Sequence, residues 1–237
     1  MLISFNKIVE VHRVSIIKNG TTEGFFNVFI FRKISILISW MLASLNVNPN
    51  LITTVSFLLT IIGGILLFVD FGSYKIISII LIAFGFIFDM SDGEVARLTN
   101  KQSDFGGFYD PFLDRVIDMM LPLLIGIGFF LNLNDKGELI LILVILYAAI
   151  RSSLFYLEYV NLKLGLSESI NSIRRIAVSK FNSITQYIKW DGGFTIFLFA
   201  IAIFFNLITQ LFIFLLFFYG AIMIIGFMEI RKKLKKK

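Results

Sequence analysis

The chain has 237 residues, 57% of them hydrophobic and 16% charged, whereas a soluble domain is roughly a quarter charged and about half apolar; composition therefore argues for a single membrane body. With no cysteine and one histidine, His12, disulfides, thiolate nucleophiles, thiolate metal sites and a His-rich metal centre are excluded. The net charge of +6 does not signal nucleic acid, because six basic residues are gathered in the tail Arg231, Lys232, Lys233, Lys235, Lys236 and Lys237, where they read as a topology anchor beside anionic headgroups.

In chain order, residues 1–24 lack a continuous apolar stretch and carry Glu10, Lys18 and Glu23, so they do not read as a secretory signal. Residues 1–27 are expected to form a cytoplasmic segment. Residues 28–47 (VFIFRKISILISWMLASLNV) are apolar with Arg32 and Lys33 near one end, which predicts an amphipathic helix lying at the interface rather than a span. Six segments are apolar enough to cross a bilayer as helices of about 20 residues: 51–70, 74–97, 109–131, 137–158, 191–208 and 210–229. The turns joining 51–70 to 74–97, 109–131 to 137–158 and 191–208 to 210–229 are short, which makes those pairs antiparallel neighbours. The longer polar connections are 98–108 and 159–190. The expected fold is thus an all-α membrane protein of six transmembrane helices with an N-terminal interfacial helix, its membrane body spanning 28–229 and a basic cytoplasmic tail 230–237.

Basic residues set the expected orientation. Eighteen of the 22 fall in 1–50, 98–108 with Arg97, 159–190 and the tail, whereas the opposite loops hold Lys75 and Lys136. The positive-inside rule then places both termini and the 98–108 loop in the cytoplasm.

The stretch DMSDGEVARLTNKQSDFGGFYDPFLD, residues 89–114, is the informative one. Asp89 and Asp92 are three apart near the end of one span, and Asp110 and Asp114 are four apart at the start of the next. Both spacings put side chains on one helix face, and an antiparallel hairpin would bring the pairs together. Two carboxylates about 4 Å apart repel by roughly 4 kcal/mol at an effective dielectric of 20, and carboxylates within a membrane helix carry a further insertion penalty. A divalent cation relieves both; clustered hard oxygens suit Mg²⁺ or Mn²⁺, with Ca²⁺ also compatible, and two such ions commonly bridge a phosphoryl group. The alternatives are helix capping, pairing with Arg97 and Arg115, or a proton or cation pathway of the kind a small cation-coupled transporter would use. Transport does not account for Gly93, Gly106 and Gly107 beside the aspartates, where glycine lets backbone approach a bulky ligand.

Asp89-x-x-Asp92-Gly93-x-x-Ala96-Arg97, eight residues, then Gly106-x-x-x-Asp110-x-x-x-Asp114 resembles the complete signature of the CDP-alcohol phosphatidyltransferase family. Pro49-Asn50-x-x-Thr53 resembles that family's motif at the start of its first span, and FRKIS, NPNLIT and DGEVARLT look similar to its di-myo-inositol-phosphate-phosphate synthases. The resemblance implies metal-dependent transfer of a phospho-alcohol group from a CDP-alcohol to a hydroxyl acceptor, with release of CMP. It implies that Asp89, Asp92 and Asp110 hold two divalent metals, and that Asp114 contacts the second and acts as base on the acceptor hydroxyl. Gly93, Arg97 and Ser103 would contact the CDP portion, Asn50 and Thr53 would close over it, and Ala96 and Gly106 would leave it room. CDP-diacylglycerol is the leading donor, with a small polar acceptor such as inositol phosphate or glycerol phosphate; a soluble donor of the CDP-inositol or CDP-ethanolamine type is the alternative. A homodimer is expected by analogy.

Outside the signature, Arg151 in YAAIRSSL lies within a predicted span, and is expected to face a polar cavity, reaching an anionic acceptor, snorkelling to the interface or joining a structural pair. Asp118 continues the Asp110/Asp114 face and is expected to pair with Arg115 or support the cluster. Arg174 and Arg175 read as headgroup anchors, and Trp40 and Trp190 as interfacial anchors.

Overall fold

A computed structural model describes residues 17–18, 21–22, 27–133, 137–163 and 192–234. Expectations for His12, Arg174, Arg175, Trp190 and the last three lysines fall outside the described residues. Apart from a two-residue antiparallel pairing of β1 (Ile17–Lys18) with β2 (Thr21–Thr22), the described chain is helical. A π-helical turn, Asn27–Phe31, runs into α1 (Arg32–Ser44), followed by α2 (Pro49–Val69), α3 (Phe71–Thr99), α4 (Asp104–Leu133), α5 (Gly137–Lys163), α6 (Gly192–Phe204) and α7 (Ile208–Leu234). Five of these stretches are long and apolar enough to cross a membrane: Asn27–Ser44, Pro49–Val69, Phe71–Thr99, Glu138–Leu157 and Ile208–Lys232. These apolar helices mark a multi-pass integral membrane protein.

The helices begin and end where local chemistry dictates. Asn48 caps α2 by accepting from the Asn50 backbone N–H at 3.0 Å, with Pro49 in the first turn, where its missing N–H costs nothing. Asp70 caps α3, its Oδ1 accepting from the N–H groups of Gly72 and Ser73, each at 3.0 Å. The Ser73 backbone bond is the main reason that the Asp70 carboxyl sits below its ordinary value. Asn100 closes α3 in the left-handed region, at φ 55°, a conformation that asparagine tolerates. Ser103 then opens α4, its hydroxyl accepting from Gly106 N–H at 3.1 Å. Only Asn100–Ser103 separate the two helices, and Lys101 Nζ donates to the Asn46 carbonyl at 3.0 Å, tying this turn to the one between α1 and α2.

α2 and α3 make the most extensive contact in the molecule, along a stripe of small and hydroxylated residues. Ser56 Oγ donates to the Gly85 carbonyl at 2.8 Å, and a Cβ at Gly85 would meet the Thr60 hydroxyl and lie 3.0 Å from the Ser56 carbonyl. Such close approach is how helices associate where lipid removes the hydrophobic drive. α4 packs on the other side of α2. A second body of side chains joins α5, α6 and α7, where Tyr147 meets Phe212 edge-on at 5.5 Å and Tyr219 at 5.9 Å.

α1 is packed against α3 by its polar side. Its buried positions are Arg32, Ser35, Ser39 and Ala43, while Leu37, Trp40 and Met41 are exposed. The helix is amphipathic as predicted, but its polar stripe faces α3. Arg32 Nη1 meets Glu94 Oε1 at 2.8 Å. The apolar face is exposed.

Candidate metal and nucleotide site

The hairpin of α3 and α4 sets the aspartates against one another. Asp89 and Asp92 lie on successive turns near the end of α3, and Asp110 lies in the second turn of α4. Each of the three offers a carboxylate oxygen, and these oxygens lie within 4.8 Å of one another. The Asp114 carboxyl faces that of Asp89, so the fourth aspartate joins the cluster from the next turn of α4. Asp114 is exposed, Asp89 and Asp110 are half-buried, and Asp92 is 5% exposed. Three hard anionic ligands converging from two helices fit a divalent cation, both in donor chemistry and in spacing.

α2 enters the same place by its N-terminal turn. Thr53 Oγ1 donates to Asp92 Oδ2 at 2.5 Å, orienting the most buried carboxylate. A Cβ at Gly106 would lie 3.1 Å from Asn50 Oδ1 and 3.2 Å from Ser103 Oγ; a bare α-carbon lets these two polar side chains stand over the start of α4. One turn on, the Thr54 and Tyr109 hydroxyls are 3.0 Å apart. On α3, a Cβ at Gly93 would lie 3.4 Å from Arg97 Nη1, so the guanidinium folds back along the helix over Gly93, towards the aspartate end. Ala96 is half-buried, and its carbonyl accepts from Lys101 N–H at 2.9 Å.

Arg151 is placed differently. Its Nη2 meets Asp118 Oδ2 at 2.5 Å, and its guanidinium lies 4.9 Å from the Phe155 ring and 4.8 Å from Tyr219. Asp118 also meets Arg115 at 3.4 Å. Arg151 is therefore paired with a carboxylate of α4. The feature that sequence reading passed over is Glu94, fully buried inside the signature itself. Its signal was present as the polar stripe Arg32, Ser35 and Ser39 at helical spacing in an apolar segment, which calls for a polar partner.

Residues 46–228 match the model of the CDP-alcohol phosphatidyltransferase family. The chain belongs to that family. CDP-alcohol phosphatidyltransferases are enzymes that move a phospho-alcohol group from a CDP-alcohol to an alcohol acceptor with release of CMP. It is 37% identical over 114 residues to a bifunctional IPC transferase and DIPP synthase of Archaeoglobus fulgidus, covering 48% of this chain and 22% of that protein. It is 37% identical over 87 residues to the archaetidylinositol phosphate synthase of Pyrococcus horikoshii, covering 37% of this chain and 45% of the relative. The bifunctional protein of Thermococcus kodakarensis is 37% identical over 99 residues, 42% of this chain and 22% of its own length. The chain thus spans less than half the length of these curated relatives.

Proposed function

We propose that this phosphatidyltransferase moves the phosphatidyl-type group of a lipid CDP-alcohol, such as CDP-diacylglycerol, to the hydroxyl of a small polar acceptor of the inositol phosphate class, in phospholipid synthesis. The observation that carries the chemistry is the convergence of Asp89, Asp92 and Asp110 within 4.8 Å. The acceptor class is supported by the likeness to the archaetidylinositol phosphate synthase. Asp89, Asp92, Asp110 and Asp114 would hold two Mg²⁺ or Mn²⁺ ions, which when bound neutralise the pyrophosphate of the donor. Arg97, beside Gly93, donates a fork of hydrogen bonds to phosphate oxygens. Asn50, Ser103 and Gly106 line the approach for the nucleotide, and Thr53 fixes the Asp92 carboxylate. Asp114, the most exposed of the four, is placed to take the proton of the acceptor hydroxyl and align it for attack.

The setting proposed for this chemistry is six spans, α2 to α7, with α1 at the interface and the aspartate cluster and both termini facing the cytoplasm, as the basic residues indicate. A second reading keeps the chemistry and uses a soluble donor of the CDP-inositol type; the likeness to the two DIPP synthases favours it.

CMP release from purified protein, measured over a matrix of lipid and soluble CDP-alcohols against polar acceptors with Mg²⁺ or Mn²⁺, tests both. Release from CDP-diacylglycerol dependent on a polyol phosphate is expected. Release from soluble donors only replaces the first reading with the second. Aspartate-dependent cation flux with no CMP from any donor overturns the transferase assignment of function.

A further inference from the structure

The end of α3 carries two polar clusters. With about 100° of rotation per residue, Asp89 and Asp92 share one face, while Met90, Ser91 and Glu94 lie on roughly the opposite one. The second face is bonded throughout to α1. Glu94, with no exposed surface, accepts from Arg32 Nη1 at 2.8 Å, from the Ser35 hydroxyl at 3.1 and 3.2 Å, and from the Ser39 hydroxyl at 2.6 Å. Arg32 also reaches the Met90 carbonyl at 3.4 Å. Ser39 Oγ lies 3.4 Å from the Ser91 carbonyl, and Ser91 Oγ lies 3.3 Å from the Ser35 carbonyl. These bonds join the two helices over a single turn of α3.

We infer that Glu94 is a positioning residue, which through Arg32 and Ser39 fixes the rotation of α3 so that Asp89 and Asp92 converge on Asp110. The physical case rests on what an apolar contact would do in its place. Between lipid-bathed helices an aliphatic interface has little directional preference, and the four aspartates, left to repel one another, favour rotation of α3 away from α4. A buried, hydrogen-bonded ion pair is poor at adding net stability but good at excluding alternative registers. The bridge is saturated with partners and sits directly behind the metal ligands, so turning α3 to separate the aspartates would strip Glu94 of its donors. This inference rests on the reading of the aspartates as metal ligands, and it is tested by metal binding apart from turnover.

Mn²⁺ binding to the purified full-length protein, followed by paramagnetic resonance together with the thermal midpoint, decides it. The volume-conserving pair Arg32→Met/Glu94→Leu removes both charges; it is expected to stay folded with a midpoint near that of the unaltered protein, while Mn²⁺ affinity falls about tenfold or more, the scale on which supporting groups act on metal sites. Arg32→Lys, which retains the charge, is expected to keep most of the affinity. Ser39→Ala deletes one bond to Glu94 and lowers affinity by a smaller factor, which serves if the double variant does not fold. Unaltered Mn²⁺ affinity in the folded double variant, or in Ser39→Ala where the double variant is unfolded, overturns the positioning role. Unaltered protein that binds no Mn²⁺ overturns it together with the metal reading. CMP release is recorded in parallel: Mn²⁺ binding without release from any donor counts against the transferase proposal alone, and the variant series still decides the role of Glu94.

Discussion

Two polar clusters share the last turns of α3, and they are built on opposite rules. In the Arg32–Glu94 bridge each charge is matched and the carboxylate is surrounded by donors from one neighbouring helix. In the aspartate cluster, carboxylates face carboxylates, and the hydroxyl of Thr53 supports the most buried of them. A matched cluster is what a protein needs to hold helices together; a cluster of like charges stores repulsion until a cation arrives. The two differ in how their charges are met although they lie within a few residues of each other. That difference separates scaffold from chemistry more sharply than burial does.

The comparison can be broken by substitution. The largest effect is expected at the like-charged cluster: Asp110→Asn or Asp114→Asn should lower CMP release by at least about 10³-fold, combining the loss of a metal ligand with that of a proton acceptor, and a chelator should do the same reversibly to the unaltered enzyme. These variants should not unfold the protein; in metal-free protein, Asp89→Asn should raise the thermal midpoint by relieving repulsion. At the matched cluster the pattern reverses. Arg32→Met alone strands the Glu94 carboxylate and should destabilise by about 3–5 kcal/mol, read as a lowered midpoint in detergent. Next, Arg97→Ala should reduce CMP release about 10²-fold, the scale of one lost donor to developing charge, with the midpoint unchanged. Gly85→Ala, which drives a methyl into Thr60 and Ser56, should cost about 1–3 kcal/mol without changing metal affinity. The smallest effect belongs to the Asp70 cap. Its carboxyl lies below the ordinary 3.8 in the folded chain, so its contribution is complete above the unfolded value and is lost as pH falls through the folded one. Asp70→Ala should therefore lower the midpoint at pH 7 and change it less at pH 3.

What was legible in the sequence follows the same division. Asp89, Asp92, Asp110 and Asp114 declared themselves by spacing, because carboxylates in apolar helices need a reason and a period of three or four fixes their face. Helix order was legible from apolar runs, although α3 and α4 extend beyond the expected 74–97 and 109–131 because Asp70 and Ser103 cap them from within the turns. The partnership of Arg32 with Glu94 was not legible, since it joins residues 62 positions apart and Glu94 sits amid a motif whose other members face elsewhere. Arg151 within an apolar run calls for an anion, but periodicity does not say that Asp118, 33 residues earlier, is one that it meets.

The polar stripe of α1 bears on how the protein is made. Arg32 leaves the ribosome 62 residues before Glu94, about 3–12 s at ordinary elongation rates. Until Glu94 has been made, α1 lacks the carboxylate that its arginine and serines bond in the folded protein, so the contact between α1 and α3 is completed only after α3 is delivered. The earliest of these helices is thus fixed in place by a residue made well after it, before α4 to α7 follow.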